Sequence, residues 1–231
     1  LARSLRGFDF VYDLQTSARS SRYFRLAGRP AWSGIAPGAS HPHANPARDR
    51  MHTIDRQRDQ LAMAGITAVP PPDLGWLAAA ARPPGLRRPY ALLIPGAAPH
   101  RPAKRWPAPR FGAIAARLAA AGTTPAVIGT AAEAPLATAI RTACPEAIDL
   151  TGRTLLPDIA RLAAGAALAI GNDTGPMHLA AMVGCRCIVL FSAESDPALT
   201  APRGDVLVLR EADLGHLPVE RVAAAVACNP G

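Results

Sequence analysis

From Tyr90 to the C-terminus, short aliphatic runs alternate with alanine-rich amphipathic stretches. That alternation confines the chain to α/β architectures with a parallel sheet. Strands are expected over residues 90–94, 125–128, 147–150, 167–170, 187–191 and 206–209. Helices are expected over 109–121, 132–143, 155–164 and 218–228, with one more opening at Gly175. Strand, helix, strand in this order implies right-handed crossovers and helices on both faces of the sheet. Ligands in such sheets lie outside the carboxyl ends of the strands.

Two segments at that edge are built for an anion. The run Ala167-Leu168-Ala169-Ile170 passes through Gly171-Asn172-Asp173-Thr174-Gly175 directly into a helix with Pro176 in its first turn. Asp173 and Thr174 suit the cap, and the free N–H groups around Gly175 to His178 suit a phosphate at the positive end of the helix dipole. The same residues also fit an ordinary capped helix start. Upstream, the strand ending at Ile94 leads into Pro95-Gly96-Ala97-Ala98 and then His100, Arg101, Lys104, Arg105 and Trp106. Lys104 is the only lysine among 25 basic residues, so an ammonium stands there against a strong compositional bias. A compact charge on a flexible stem suits a phosphate whose charge changes during reaction. A solvated basic loop is the plain alternative.

Charge is unevenly placed along the 231 residues. Residues 1–89 carry 13 Arg against six Asp, a net +7, whereas 90–231 carry a net +1. The N-terminal excess suits an anionic partner, and the lack of an aromatic stacking run or groove-reading motif argues against nucleic acid. No apolar run is long enough to cross a bilayer. Cys144, Cys185, Cys187 and Cys228 lack paired zinc-ligand spacing, and Cys185 and Cys187 share one strand face as core thiols, which suits a reducing, cytoplasmic setting. In the first part, strands are expected over 8–14 and 30–35, helices over 17–26 and 53–65, a loop from Pro37 to His43, and a linker over 82–89. So few strands make a poor independent sheet, and the chain starts at Leu1, so earlier strands are expected before it.

Several segments carry a family resemblance: Pro95-Gly96-Ala97 with Lys104-Arg105-Trp106-Pro107, Val127-Ile128-Gly129 followed by Glu133, Leu150-Thr151-Gly152-Arg153-Thr154, and above all Asn172-Asp173-Thr174-Gly175-Pro176-Met177-His178. Together they resemble glycosyltransferase family nine, the ADP-heptose:lipopolysaccharide heptosyltransferases. The resemblance implies the GT-B architecture of two Rossmann-like domains with parallel sheets: a partial acceptor-side domain over 1–88 and a nucleotide-sugar domain over 89–231. It also implies transfer of heptose from ADP-heptose to a lipopolysaccharide-type core, without a cofactor. Lys104 would contact the donor diphosphate, Glu133 the ribose hydroxyls and Asp173 the transferred sugar. Thr174 and Gly175 would donate to the phosphates, and His178 would line the same pocket. Ala97 and Ala98 stand where some members carry two hydroxyl residues, so a side-chain phosphate contact is missing there.

The chemistry supports these roles, with plain alternatives beside them. Expelling a nucleoside diphosphate needs fixed positive charge, which Lys104 and a helix N-terminus supply; no carboxylate cluster has hard-cation spacing, so no metal is expected. Glu133 also fits a dipole partner at a helix start, Asp173 a cap, and His178 a packed core histidine. The catalytic base is expected before Leu1; Asp13 is the leading carboxylate in the first part, but its neighbours fit a different family segment. Arg19, Arg22 and Arg25 form one helix stripe that suits an anionic glycolipid acceptor at the inner face of the cytoplasmic membrane. A nucleotide-sugar-binding module without turnover and a nucleotide-sugar epimerase remain as alternatives. A dehydrogenase is disfavoured because no G-x-G-x-x-G follows a strand.

Overall fold

The computed structural model describes residues 4, 6–74, 76 and 86–228. They fall into two compact units, one ending at Pro71 and one beginning at Pro72. The linker expected over 82–89 lies partly outside the described residues, which omit 77–85.

The first unit comprises β1 (Phe10–Tyr12), α1 (Ala18–Leu26), β2 (Ala31–Gly34), β3 (His41–Pro42) and α2 (Thr53–Met63). Its three strands are parallel in the order β1-β2-β3. Helix α1 starts where Ser17 and Ser20 cap each other's backbone N–H groups in a reciprocal box, which satisfies two donors the helix leaves open. Ser20 and Phe24 face inward, while Arg19, Arg22 and Arg25 are exposed. The expected loop from Pro37 to His43 contains β3, whose two residues pair with Ser33 and Gly34. The apolar core is small: Phe24, Trp32 and Ala36, with Val11, Tyr23, Ala27 and Ala39 against them.

The second unit runs β4 (Tyr90–Ile94), α3 (Ala108–Ala120), β5 (Thr124–Val127), α4 (Ala134–Ala143), β6 (Ile148–Asp149), α5 (Leu156–Gly165), β7 (Leu168–Asn172), α6 (Gly175–Met182), β8 (Cys187–Phe191), α7 (Pro197–Thr200), β9 (Val206–Arg210) and α8 (Val219–Ala227). Its six strands are parallel in the order β6-β5-β4-β7-β8-β9. Strand alternation divides the core cleanly. Ala91 and Leu93 of β4 point to a layer closed by Phe111, Ile114, Ile140 and Val222, whereas Tyr90, Leu92 and Ile94 point to one closed by Ile159, Leu162, Met177 and Ala180. Full burial of each large aliphatic or aromatic side chain contributes about 1.5–3 kcal/mol, so these two layers dominate the unit's stability. Cys185 and Cys187 lie in the same layer, and all four cysteines are free.

Two expectations shift locally. The helix expected from 132 opens as a tight 3-10 turn over Ala131–Glu133 before α4 begins, because the Glu133 side chain folds back onto the Thr130 backbone. Strand β7 continues through Gly171 and Asn172, held by parallel pairing to Ile94 and Leu190.

Candidate functional site

The chain winds outward from β4 through β5 to β6, then returns to pair β7 on the other side of β4 and winds away through β8 to β9. Loops after β4 and β7 therefore diverge and leave a crevice between them, the place where doubly wound sheets bind ligands. Both expected anion-binding segments occupy it.

Asn172 ties the crevice together from the end of β7. Its Oδ1 accepts from the Trp106 backbone N–H at 3.0 Å, and its Nδ2 donates to Pro95 O at 2.8 Å and Gly96 O at 3.2 Å. The side chain is fully buried, so each bond is made away from competing water. Trp106 anchors the same loop from below: it is 1% exposed, meets Phe111 edge-on at 4.9 Å and donates through Nε1 to Leu217 O at 2.9 Å. Gly171 permits the close approach of β7 to β4, since a Cβ there would sit 2.7 Å from Ile94 Cβ.

On this frame Lys104 Nζ donates to Asp173 Oδ2 at 2.6 Å, with side-chain exposures of 13% and 8%. Ser195 Oγ donates to the same oxygen at 2.7 Å, and His178 Nε2 stands 3.9 Å from Oδ1. The lone ammonium and the aspartate therefore converge. They do so by direct contact, which the sequence had pointed to only as a shared ligand. One expectation is overturned: neither Asp173 nor Thr174 caps α6 through its side chain. Thr174 occupies the cap position, but its hydroxyl donates to Asn172 O at 3.2 Å. The Asp173 carboxylate is instead engaged by an ammonium and a hydroxyl, a charge-assisted arrangement stronger than a cap.

Beside this cluster opens a cavity of about 800 Å³, lined by Gly96, Ala97, Thr174 and Gly175 together with the apolar Leu155, Leu156 and Ile159. Glu133 also lines it, with Oε2 accepting from Thr130 N at 2.7 Å and Thr130 Oγ1 at 3.1 Å. Gly96 leaves room for that carboxylate: a Cβ would fall 1.8 Å from Glu133 Oε1 and displace it. Of the residues singled out in sequence, Glu133, Thr174 and Gly175 line the cavity, while Lys104, Asp173 and His178 form the adjoining charged cluster. Asn172, Ser195 and Arg105 had no such assignment. For Arg105, the run Lys104-Arg105-Trp106-Pro107 was the available signal; for Ser195 the sequence carries none. Asp13, weighed earlier as a carboxylate, is committed to structure: its oxygens accept from Thr16 N and Ser20 Oγ.

A doubly wound parallel sheet with polar loops knotted at its switch point defines an α/β protein of the kind that holds its ligand in that crevice. The family is specific: the chain belongs to glycosyltransferase family 9 (heptosyltransferase), whose model matches residues 1–222. Lipooligosaccharide heptosyltransferase 2 of Haemophilus influenzae is 36% identical over 123 residues, which is 51% of this chain and 35% of that protein. The match thus spans about a third of the curated relative's length. Among solved structures, Escherichia coli heptosyltransferase WaaC with ADP superposes with a TM-score of 0.76 at 21% identity, covering 98% of this chain and 75% of that one. Escherichia coli ADP-heptose lps heptosyltransferase II gives 0.72 at 22% identity, covering 98% and 78%. The α/β class with parallel sheets, expected as GT-B type, is the fold these structures share with the chain.

Proposed function

We propose that this chain transfers heptose from ADP-heptose to a lipopolysaccharide-type core acceptor, holding the donor in the cavity of the second unit. The observation that carries the reading is the convergence of Lys104, Asp173 and the open N-terminus of α6 beside a cavity with Glu133 on its wall. Support comes also from the family and from the solved neighbours, WaaC having been captured with ADP and with ADP-2-deoxy-2-fluoro heptose.

In this reading the apolar wall of Leu155, Leu156 and Ile159 takes the base and Glu133 takes the ribose hydroxyls. The diphosphate lies along Thr174 and Gly175, where α6 starts without a side-chain cap and presents the positive end of its dipole. As the bond to the sugar breaks, negative charge builds on the leaving diphosphate, and Lys104 stabilises it. Asp173, held by Lys104 and Ser195 through Oδ2, offers Oδ1 to the transferred sugar, with His178 at its side. We assign the acceptor's anionic groups to the exposed stripe of Arg19, Arg22 and Arg25 on α1. Among the described residues no helix is long and apolar enough to cross a membrane. The exposed arginine stripe suits an enzyme in the cytoplasm that meets its acceptor in peripheral contact with the inner face of the cytoplasmic membrane.

Thermal shift with ADP, UDP and GDP tests the donor site, because a ligand that binds only the native state raises the melting temperature. ADP is expected to raise it most. No response to any nucleotide would overturn the assignment, and consumption of ADP-heptose without an acceptor would favour an epimerase.

A further inference from the structure

We propose that Arg105 is the cation that grips the donor diphosphate inside the cavity, a role that rests on the donor-site reading above. Among the described residues lining the cavity, Arg105 carries the only positive charge and Glu133 the only negative one. Lys104 is not on that lining; its ammonium is turned to Asp173 at 2.6 Å. Two consecutive cations therefore face different places. Lys104 meets the diphosphate from the Asp173 side, where the sugar leaves, and Arg105 meets it from the cavity wall.

The local structure holds Arg105 for that task. It follows the 3-10 turn Pro102–Lys104, its backbone N–H donates to Pro102 O at 3.0 Å, and its chain neighbour is the buried Trp106. Its Nη2 donates to Ala97 O at 2.8 Å, which fixes the guanidinium against the loop that follows β4. Its Nε is buried and has no hydrogen-bond partner among the described residues. A buried donor left unmatched is costly, and a guanidinium anchored to a carbonyl keeps its full charge for an incoming anion. The need for it is also local. Ala97 and Ala98 both line the cavity and bring no hydroxyl, so this wall can neutralise phosphate only with backbone N–H groups and a neighbouring cation. The planar fork of arginine matches two phosphate oxygens at once.

Calorimetry on the full chain with ADP and with adenosine, each at low and high salt, tests the assignment. Arg105→Gln is expected to weaken ADP about tenfold to a hundredfold, to leave adenosine within about twofold, and to flatten the salt dependence of ADP affinity. Lys104→Gln is expected to weaken ADP less than Arg105→Gln does. If Arg105→Gln melts early, Arg105→Lys carries the same test: it keeps a charge but loses the fork, and ADP alone should weaken, by about threefold to tenfold. Equal loss of ADP and adenosine would make Arg105 a structural brace and overturn the proposal, as would unchanged ADP affinity. A wild-type chain that binds no nucleoside diphosphate would instead overturn the donor-site reading.

Discussion

The two units solve the problem of holding a parallel sheet by different means. The second buries two apolar layers, and its buried polar side chains among the described residues are Asn172 and Ser192, at the carboxyl ends of β7 and β8. The first has an apolar core of three buried residues but also buries Asp13, Ser20, Ser33, His43 and Gln60. Those groups form two hydrogen-bonded sets: Gln60 Nε2 donates to Asp13 O and to Ser33 Oγ, each at 3.1 Å, and Asp59 accepts from Asn45 and bonds His43, each at 2.8 Å. Apolar layers tolerate changes of pH and salt, whereas buried polar hydrogen bonds are directional and lose much when one member goes. The second unit can thus place polar atoms only where chemistry needs them. The first uses them for cohesion.

The largest effect that would expose this contrast is expected at Trp106, the apolar anchor of the Lys104 loop. Trp106→Ala should destabilise the second unit by about 3–5 kcal/mol in chemical denaturation and abolish measurable ADP binding, while the far-ultraviolet signature of the first unit persists. Asp173→Asn probes chemistry more than cohesion: heptose transfer should fall about a hundredfold or more with ADP affinity within about threefold, read by kinetics and calorimetry side by side. Equal losses in both would assign Asp173 to shaping the nucleotide site. In the first unit Gln60→Leu leaves Asp13 O and Ser33 Oγ without their partner and should cost about 1–3 kcal/mol. Its signature is an earlier melt that ADP does not rescue; a melt that ADP fully restores would erase the contrast between units.

The smallest effect concerns pH. The Asp59 carboxyl is held below its ordinary range, first by the Asn45 amide and then by His43. Because the folded-state value is the lower one, its stabilisation is complete above the ordinary carboxylate range near about 4 and is lost as pH falls through the lowered value. Asp59→Asn should flatten the acid limb of the stability profile by less than about 1 kcal/mol, since the group is partly solvated. An unchanged acid limb would remove the Asp59 set from the first unit's cohesion.

Much of the second unit was legible because long periodic segments report burial directly. The strands at 90–94 and 187–191 match their expected bounds, since continuous apolar runs admit few readings. The end of β7 was not legible: Gly171 and Asn172 read as turn formers, and only pairing to neighbouring strands keeps them extended. Strand β3 was hidden for a similar reason, two residues including a proline, supported by the partner strand β2 and not by their own propensity. In the site, Lys104 and Asp173 stood out by type and setting. Asn172 looked like part of a turn, and its bonds to Pro95, Gly96 and Trp106 join segments more than 60 residues apart, which no local pattern encodes. Ser195 sits in a short polar loop whose contact with Asp173 exists only after β7 and β8 pair.

The most direct measurement is a crystal structure of the chain with ADP. The diphosphate should lie at the switch point between the loops after β4 and β7, with its oxygens within hydrogen-bond distance of the Thr174–Gly175 backbone and the adenine against Leu155 and Leu156. ADP bound away from that crevice, with the Lys104–Asp173 corner untouched, would contradict the account.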